Sequence, residues 1–280
     1  MVPRINIDVR DIKLSEKGLK TLDRLGILYE VVDFDFNLNP ADFILLEGRD
    51  AGKDSYPDLH VCKYRLGVNP AVVATGRKIG LTLQDTATEK NGRGYIGNIN
   101  REQALRLNLS LGGRTLNWTQ SPDFMKLLLS GKAYDGNGKR VKTQELSGIL
   151  DEIIGVRDPW RSEWTEDYFT NVAGKLNLNK NYRLENGVLI PSYSEVLQSC
   201  LMESRIPGIS FKDWIKRANL QGLPPANIRK GREYYWPPRA NSGAGFDVGS
   251  GRSLLDCGRY LAIADPWLGV RHVREAHEKK

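Results

Sequence analysis

Cysteine and histidine are scarce in this chain of 280 residues, with three of each. Cys62, Cys200 and Cys257 are far apart and odd in number, and no C-x-x-C occurs. His60, His272 and His277 fall into no ligand spacing, so the pattern speaks against a structural zinc site. An acidic calcium loop is missing as well, and no metal or other cofactor is expected. No apolar run approaches the 18 residues of a spanning helix, so membrane insertion is not expected. The stretch Met1–Arg10 has no apolar core of the secretory kind. Cytoplasmic residence is the default expectation, and a cell-surface or virion location would require a non-standard route.

Catalytic signatures are missing too. The chain contains no G-x-S-x-G, no G-x-x-x-x-G-K-[ST], no H-E-x-x-H and no G-x-G-x-x-G ahead of a helix. Gly92-Arg-Gly94 and Gly97 read as a turn. Asp58 after Pro57 and Asp123 after Pro122 are not accompanied by the further acids and lysine of a metal-dependent nuclease. The net charge of +7 is spread along the chain instead of gathered into a basic stripe, so a nucleic-acid partner is not expected. An enzyme is not indicated.

What is present reads as α+β. Alternation over Arg4–Ile12 and the β-branched and aromatic content of Ile27–Phe36 and Asp42–Glu47 predict strands. Asn100 is placed to cap a helix from Arg101, and Gly112-Gly113 to end it. Ser121-Pro122-Asp123 predicts a second start, with Ser121 as the capping hydroxyl and a stop at Gly131. Asp135–Gly138 is a turn. Thr143 opens a helix with Leu146, Ile149, Leu150 and Ile153 on one face. Trp160–Phe169 predicts a long strand whose tryptophans fill the core while its charges face water or pair with arginines. Glu185-Asn186-Gly187 is a hairpin turn between two strands, and Phe211–Leu220 a short helix.

The segment Pro237–Pro266 stands apart. It has no Lys, Glu, Gln, Met or Trp, although those five types make up 48 of the 280 residues and Trp236 and Trp267 bracket it. The genetic code offers a cause. An asparagine codon ending in C, randomised at its two adenines, yields fifteen residue types but never these five, nor a stop.

Arg232-Glu-Tyr-Tyr-Trp-Pro-Pro-Arg239, the residues Asn241, Ser242, Ala244, Phe246, Ser250, Arg252, Leu255, Cys257 and Arg259, and the ending Leu268-Gly-Val-Arg271 resemble the variable region of diversity-generating retroelement variable proteins, in particular their archaeal branch. Trp160-Arg-Ser-Glu-Trp164 and Arg101–Arg114 are similar to the framework of that group. The resemblance implies a C-type-lectin fold over 95–280, with the variable region at about 237–271; it is thin over 1–94, which the strand patterns make a strand-rich portion. It implies a non-catalytic ligand-binding display protein whose partner is a protein or cell-surface molecule. Sequence variation would arise as a reverse transcriptase copies a template repeat with errors at adenines. The alternatives are an enzyme related to the formylglycine-generating group and a basic virion or nucleic-acid-associated structural protein. Alternation makes Phe246, Leu255, Cys257, Leu268 and Val270 inward anchors. Together with the resemblance it assigns Asp247, Gly249, Gly251, Leu254, Asp256, Gly258, Tyr260, Ile263 and Asp265 as the diversified, ligand-facing positions. Leu254 departs from strict alternation, which predicts a bend there.

Overall fold

The computed structural model describes residues 4–8, 24, 28–32 and 38–276. Their strands are β1 (Arg4–Asp8), β2 (Leu28–Val32), β3 (Phe43–Leu46), β4 (Leu59–Cys62), β5 (Asp85–Thr88), β6 (Gly94–Ile96), β7 (Arg114–Thr115), β8 (Arg161–Val172), β9 (Lys175–Glu185), β10 (Val188–Val196), β11 (Arg205–Ile209), β12 (Glu233–Trp236), β13 (Ser242–Gly249), β14 (Arg252–Arg259), β15 (Leu268–Val270) and β16 (His272–Glu275). The helices are α1 (Pro70–Lys78), α2 (Arg101–Ser110), α3 (Ser121–Ser130), α4 (Thr143–Ile154) and α5 (Phe211–Arg217). The fold is mixed α+β. Among the described residues no helix is long and apolar enough to cross a membrane. Residues 9–12, 27 and 33–36 of the two expected amino-terminal strands lie outside the described residues, as does His277.

Local chemistry explains most of the elements. At α2 the Asn100 side chain accepts from the Gln103 amide while the Gln103 side chain accepts from the Asn100 amide, a reciprocal capping box. The start of α3 corrects the expectation for Ser121. Its hydroxyl donates back to the Asn117 carbonyl at 2.7 Å, and Gln120 takes the cap position with its side chain accepting from the Asn117 amide instead of capping the helix. Gly131 closes α3 in the left-handed region, φ 66°. In α4 the predicted stripe Leu146, Ile149, Leu150 and Ile153 is buried. Asn186 and Gly187, both at positive φ, turn β9 into β10.

The main sheet runs β10-β9-β8-β13-β14-β12-β11. β15 joins it parallel to β8 along Ser162–Trp164, and β9 pairs with the other half of β8 along Tyr168–Val172. A second sheet runs β3-β4-β16-β7. The carboxyl-terminal segment Leu268–Glu275 is therefore two strands in two sheets, broken at Arg271. That residue is fully buried, and its guanidinium donates to both oxygens of Glu163, at 2.8 and 2.9 Å, and to the Cys62 and Lys63 carbonyls. Gly269 is needed for space: a Cβ there would lie 2.8 Å from both Arg65 and Tyr95.

Two apolar cores result. The larger, with Ile44, Val61, Trp118, Phe124, Trp214, Phe246 and Leu255, lies between the main sheet and α3, α4 and α5. The smaller gathers Val72, Ile96, Leu107, Trp164, Leu268 and Val270. No seam falls at residue 94. β4 pairs with β16, the β5–β6 hairpin straddles the expected boundary, and Ile44 and Val61 share a core with Phe246. The long strand β8 holds Trp164 as expected, but Trp160 lies just outside it and is 36% exposed. Its charges do not face water: Arg161, Glu163, Glu166 and Asp167 are all buried.

Candidate functional site

β13 and β14 form an antiparallel pair closed by Ser250-Gly251, so the segment expected to vary folds back on itself in the middle of the main sheet. Gly251 occupies the left-handed region, φ 82°, which is what lets the turn close. All five expected anchors, Phe246, Leu255, Cys257, Leu268 and Val270, are buried. The register sets Asp247 opposite Leu254 and Gly245 opposite Asp256. Tyr234 and Trp236 of β12 lie opposite Leu254 and Asp256 on the other side. One face of β12–β14 therefore carries Tyr234, Trp236, Asp247, Leu254 and Asp256, and the opposite face carries Phe246 and Leu255 into the larger core.

The expected bend at Leu254 does not occur, and β14 runs unbroken from Arg252 to Arg259. The irregularity lies further on. Between the pairs Gly245–Asp256 and Gly243–Arg259, β14 spends one residue more than β13. Such a bulge turns the following side chain to the other face. Arg259 thereby reaches the Asp256 face, pairs with the Asp247 carboxylate, lies 3.6 Å from Asp256 and sits 5.1 Å from the Trp164 ring centroid. Simple alternation assigns Arg259 inward and misses it as the ionic centre of this face. Burial raises the Asp256 carboxyl above its ordinary range, opposed by Arg259 and assisted by Asp247.

The nine assigned positions fall into three groups. Tyr260 (73% exposed), Ile263 (44%) and Gly251 are exposed, and Gly258 is half-buried with room for a side chain, its Cβ meeting nothing closer than 3.4 Å. Asp247, Asp256 and Asp265 are half-buried and committed. Asp247 accepts from Ser162 and Arg259, Asp256 from the Gly258 amide at 2.9 Å, and Asp265 from the Trp267 amide at 2.9 Å. Gly249 and Leu254 are corrections. Leu254 is only 7% exposed because its strand is flanked on both sides, by Asp247 and by Tyr234. Gly249 is buried beneath Trp160, where a Cβ would come within 2.6 Å of the indole ring.

The surface also contains residues that the composition pattern does not single out. Arg252 stacks on Trp160 at 4.6 Å and Arg239 on Trp236 at 6.0 Å. These aromatic and arginine pairs are the large, rigid contact area from which interfaces draw most of their energy. The signal was present in Trp236, just outside the segment lacking tryptophan, and in Trp160 of the distant Trp160–Trp164 stretch. The thiols do not form a reactive set. Burial pushes Cys257 well above its ordinary range, Cys200 to about 11 and Cys62 to about 12, which leaves them as thiols and poor nucleophiles. Among the described residues no group of three or more His, Cys, Asp or Glu is arranged to hold a metal ion. No family profile matches the chain, and the curated proteins and solved structures give no significant match.

Proposed function

We propose that this chain is a non-catalytic display protein of C-type-lectin fold. Its region 237–271 is rewritten by a diversity-generating retroelement through adenine mutagenesis, and it binds a protein or cell-surface molecule. One observation carries the reading. The stretch limited to residues that a randomised asparagine codon can encode folds as β13, β14 and the loop after them, its apolar framework positions are buried, and Gly258, Tyr260 and Ile263 reach solvent from an ordered scaffold. A site that accepts many side chains needs a backbone fixed by other contacts, and the buried anchors on either side supply them.

Further support comes from the pairing of β16 with β7, which sets residues 272–273 beside residues 114–115 in the early part of the 95–280 region, in keeping with the neighbouring ends of a lectin-type domain. On this reading the variable set is Asp256, Gly258, Tyr260 and Ile263, with Asp247 and Asp265 at its edges, while Gly251, exposed but at φ 82°, is held by its turn. Sequencing the surrounding DNA tests the proposal. The expected result is a reverse-transcriptase gene and a near-copy of the codons for 237–271 that differs at adenines, most of all at codons 256, 258, 260 and 263. A locus with neither feature, identical across isolates, overturns it.

A further inference from the structure

A cavity of about 470 Å³ lies where the β9–β10 turn, the first turn of α2 and the loop after β14 meet. Leu261 and Ala262 form part of its wall, so it borders Tyr260 and Ile263, but its polar groups come from the framework. Arg101 is the first of these. It is only 5% exposed, and among the described residues no carboxylate stands within ion-pair distance of it. Its Nε donates to the Asp167 carbonyl at 3.1 Å and its Nη2 to the Glu166 carbonyl, while its guanidinium sits 4.8 Å from the Tyr182 ring centroid and 5.4 Å from that of Tyr168.

The two nearby acids do not neutralise it. The Asp167 carboxylate accepts from the Trp118 amide at 2.8 Å and that of Glu166 from the Tyr182 amide at 2.7 Å. Burial raises both carboxyls, Asp167 to about 7 and Glu166 against the opposing charges of Arg114 and Arg101, so the charge they supply is reduced. Glu102 lines the cavity as well, but its side chain is largely exposed and lies 3.7 Å from Arg106. Tyr182 is the second polar group: the side chain is 8% exposed, and its hydroxyl has no acceptor for its proton. A buried cation with no carboxylate in ion-pair contact and a buried donor without an acceptor both call for a partner from outside.

We propose that this cavity is a fixed subsite for the carboxylate of an acidic side chain on the ligand protein, held by Arg101 and Tyr182 beside the variable loop. A carboxylate supplies the missing charge and an acceptor for the tyrosine hydroxyl in one group. The apolar wall of Val188, Leu189, Leu261 and Ala262 suits the short hydrocarbon stem behind it. The subsite rests on the display reading for its role: a constant anchor would give each variant a base affinity that the changing positions then tune.

Glutarate, glutaramide and glucuronate serve as probes, read by amide chemical-shift titration of the full chain. Glutarate is expected to shift the amides of Arg101, Tyr182 and Ala262, and glutaramide at the same concentration to leave them unmoved. Tyr182→Phe keeps the ring and should weaken glutarate at least fivefold. Ala262→Trp fills the mouth from an exposed position and should abolish binding with an unchanged melting temperature. Equal responses to glutarate and glutaramide, or no effect of Tyr182→Phe, overturn the subsite. Tighter binding of glucuronate than of glutarate overturns the side-chain assignment and points to an acidic sugar. The locus sequence separates this from the display reading: a template repeat with no glutarate binding removes only the subsite, and glutarate binding with no template repeat removes only the display role.

Discussion

Exchanging exposed and buried residues of the same short segment should have opposite consequences for stability. Phe246 is buried, with its ring centroid 5.2 Å from Trp118 and 6.4 Å from Trp214. Truncation to Ala removes that contact and leaves a void among rigid neighbours, so the expected loss is about 3–5 kcal/mol. Leu254→Ala belongs in the same class, at about 2–5 kcal/mol, because its side chain is covered by its strand neighbours. Tyr260→Ser, Ile263→Ser and Gly258→Ser touch little that is ordered, and each should stay within about 0.5 kcal/mol. If the three act independently, the triple variant should lose no more than about 1.5 kcal/mol. Urea unfolding measures all of these, with an unchanged slope showing that the unfolded state is common to them. A triple variant as unstable as Phe246→Ala would place the loop in the core and refute the assignment of these positions as a display surface.

Three further outcomes are expected. Arg271→Met leaves Glu163 buried without its bidentate partner, with only Arg65 at 3.7 Å, and should cost about 3–5 kcal/mol in urea unfolding; a loss below about 1 kcal/mol would show the network to be dispensable. Burial, reinforced by a hydrogen bond and charge repulsion from Glu89, raises Glu152 from 4.5 to about 7. The folded state then holds a proton that the unfolded state releases, so this group's contribution to stability is lost as pH rises from about 4.5 to about 7. Glu152→Gln should lose less stability between pH 5 and pH 8 than the parent chain, and equal losses would contradict the assignment. Chelation should leave the melting temperature unchanged, whereas a drop of several degrees would reveal a bound metal.

Much of the fold was legible because local signals and tertiary packing agree. The Asn100 cap, the Gly131 stop, the stripe of α4 and the Asn186-Gly187 turn are each decided within a few residues, and the chain around them does not override the choice. Where a distant contact decides, sequence patterning fails. Nothing local marks Arg271 as the break between β15 and β16, since its partners are Glu163, Cys62 and Lys63. The charges of β8 were expected to face water or pair with arginines; Glu163 does pair with Arg271, but strands pack along both edges of β8 and cores cover both faces, which buries Glu163, Glu166 and Asp167. In the site, alternation placed the anchors correctly, because Phe246 and Leu255 precede the bulge. It failed at Arg259, which follows it, and at Leu254, whose exposure depends on a neighbouring strand and not on its own parity.

These failures say where variation can be tolerated on the proposed reading. Around β8 and β13 the sheet is covered on both faces, with Phe246 in one core and Trp164 in the other. Free side chains are therefore pushed out to the far half of β14 and to the loop beyond it, where Gly258, Tyr260 and Ile263 lie. Randomised asparagine codons bring a second restriction, for they never yield Trp, Lys, Glu, Gln or Met. The largest aromatic surface must come from residues outside the rewritten stretch. Trp236 lies opposite Asp256, Trp160 covers Gly249, and Trp267 sits under the Arg161 guanidinium at 5.4 Å. Rigid aromatic residues give large contact area at small entropic cost. A framework that fixes them beside the variable positions supplies binding area the code cannot introduce, and leaves to the variable residues the choice of partner.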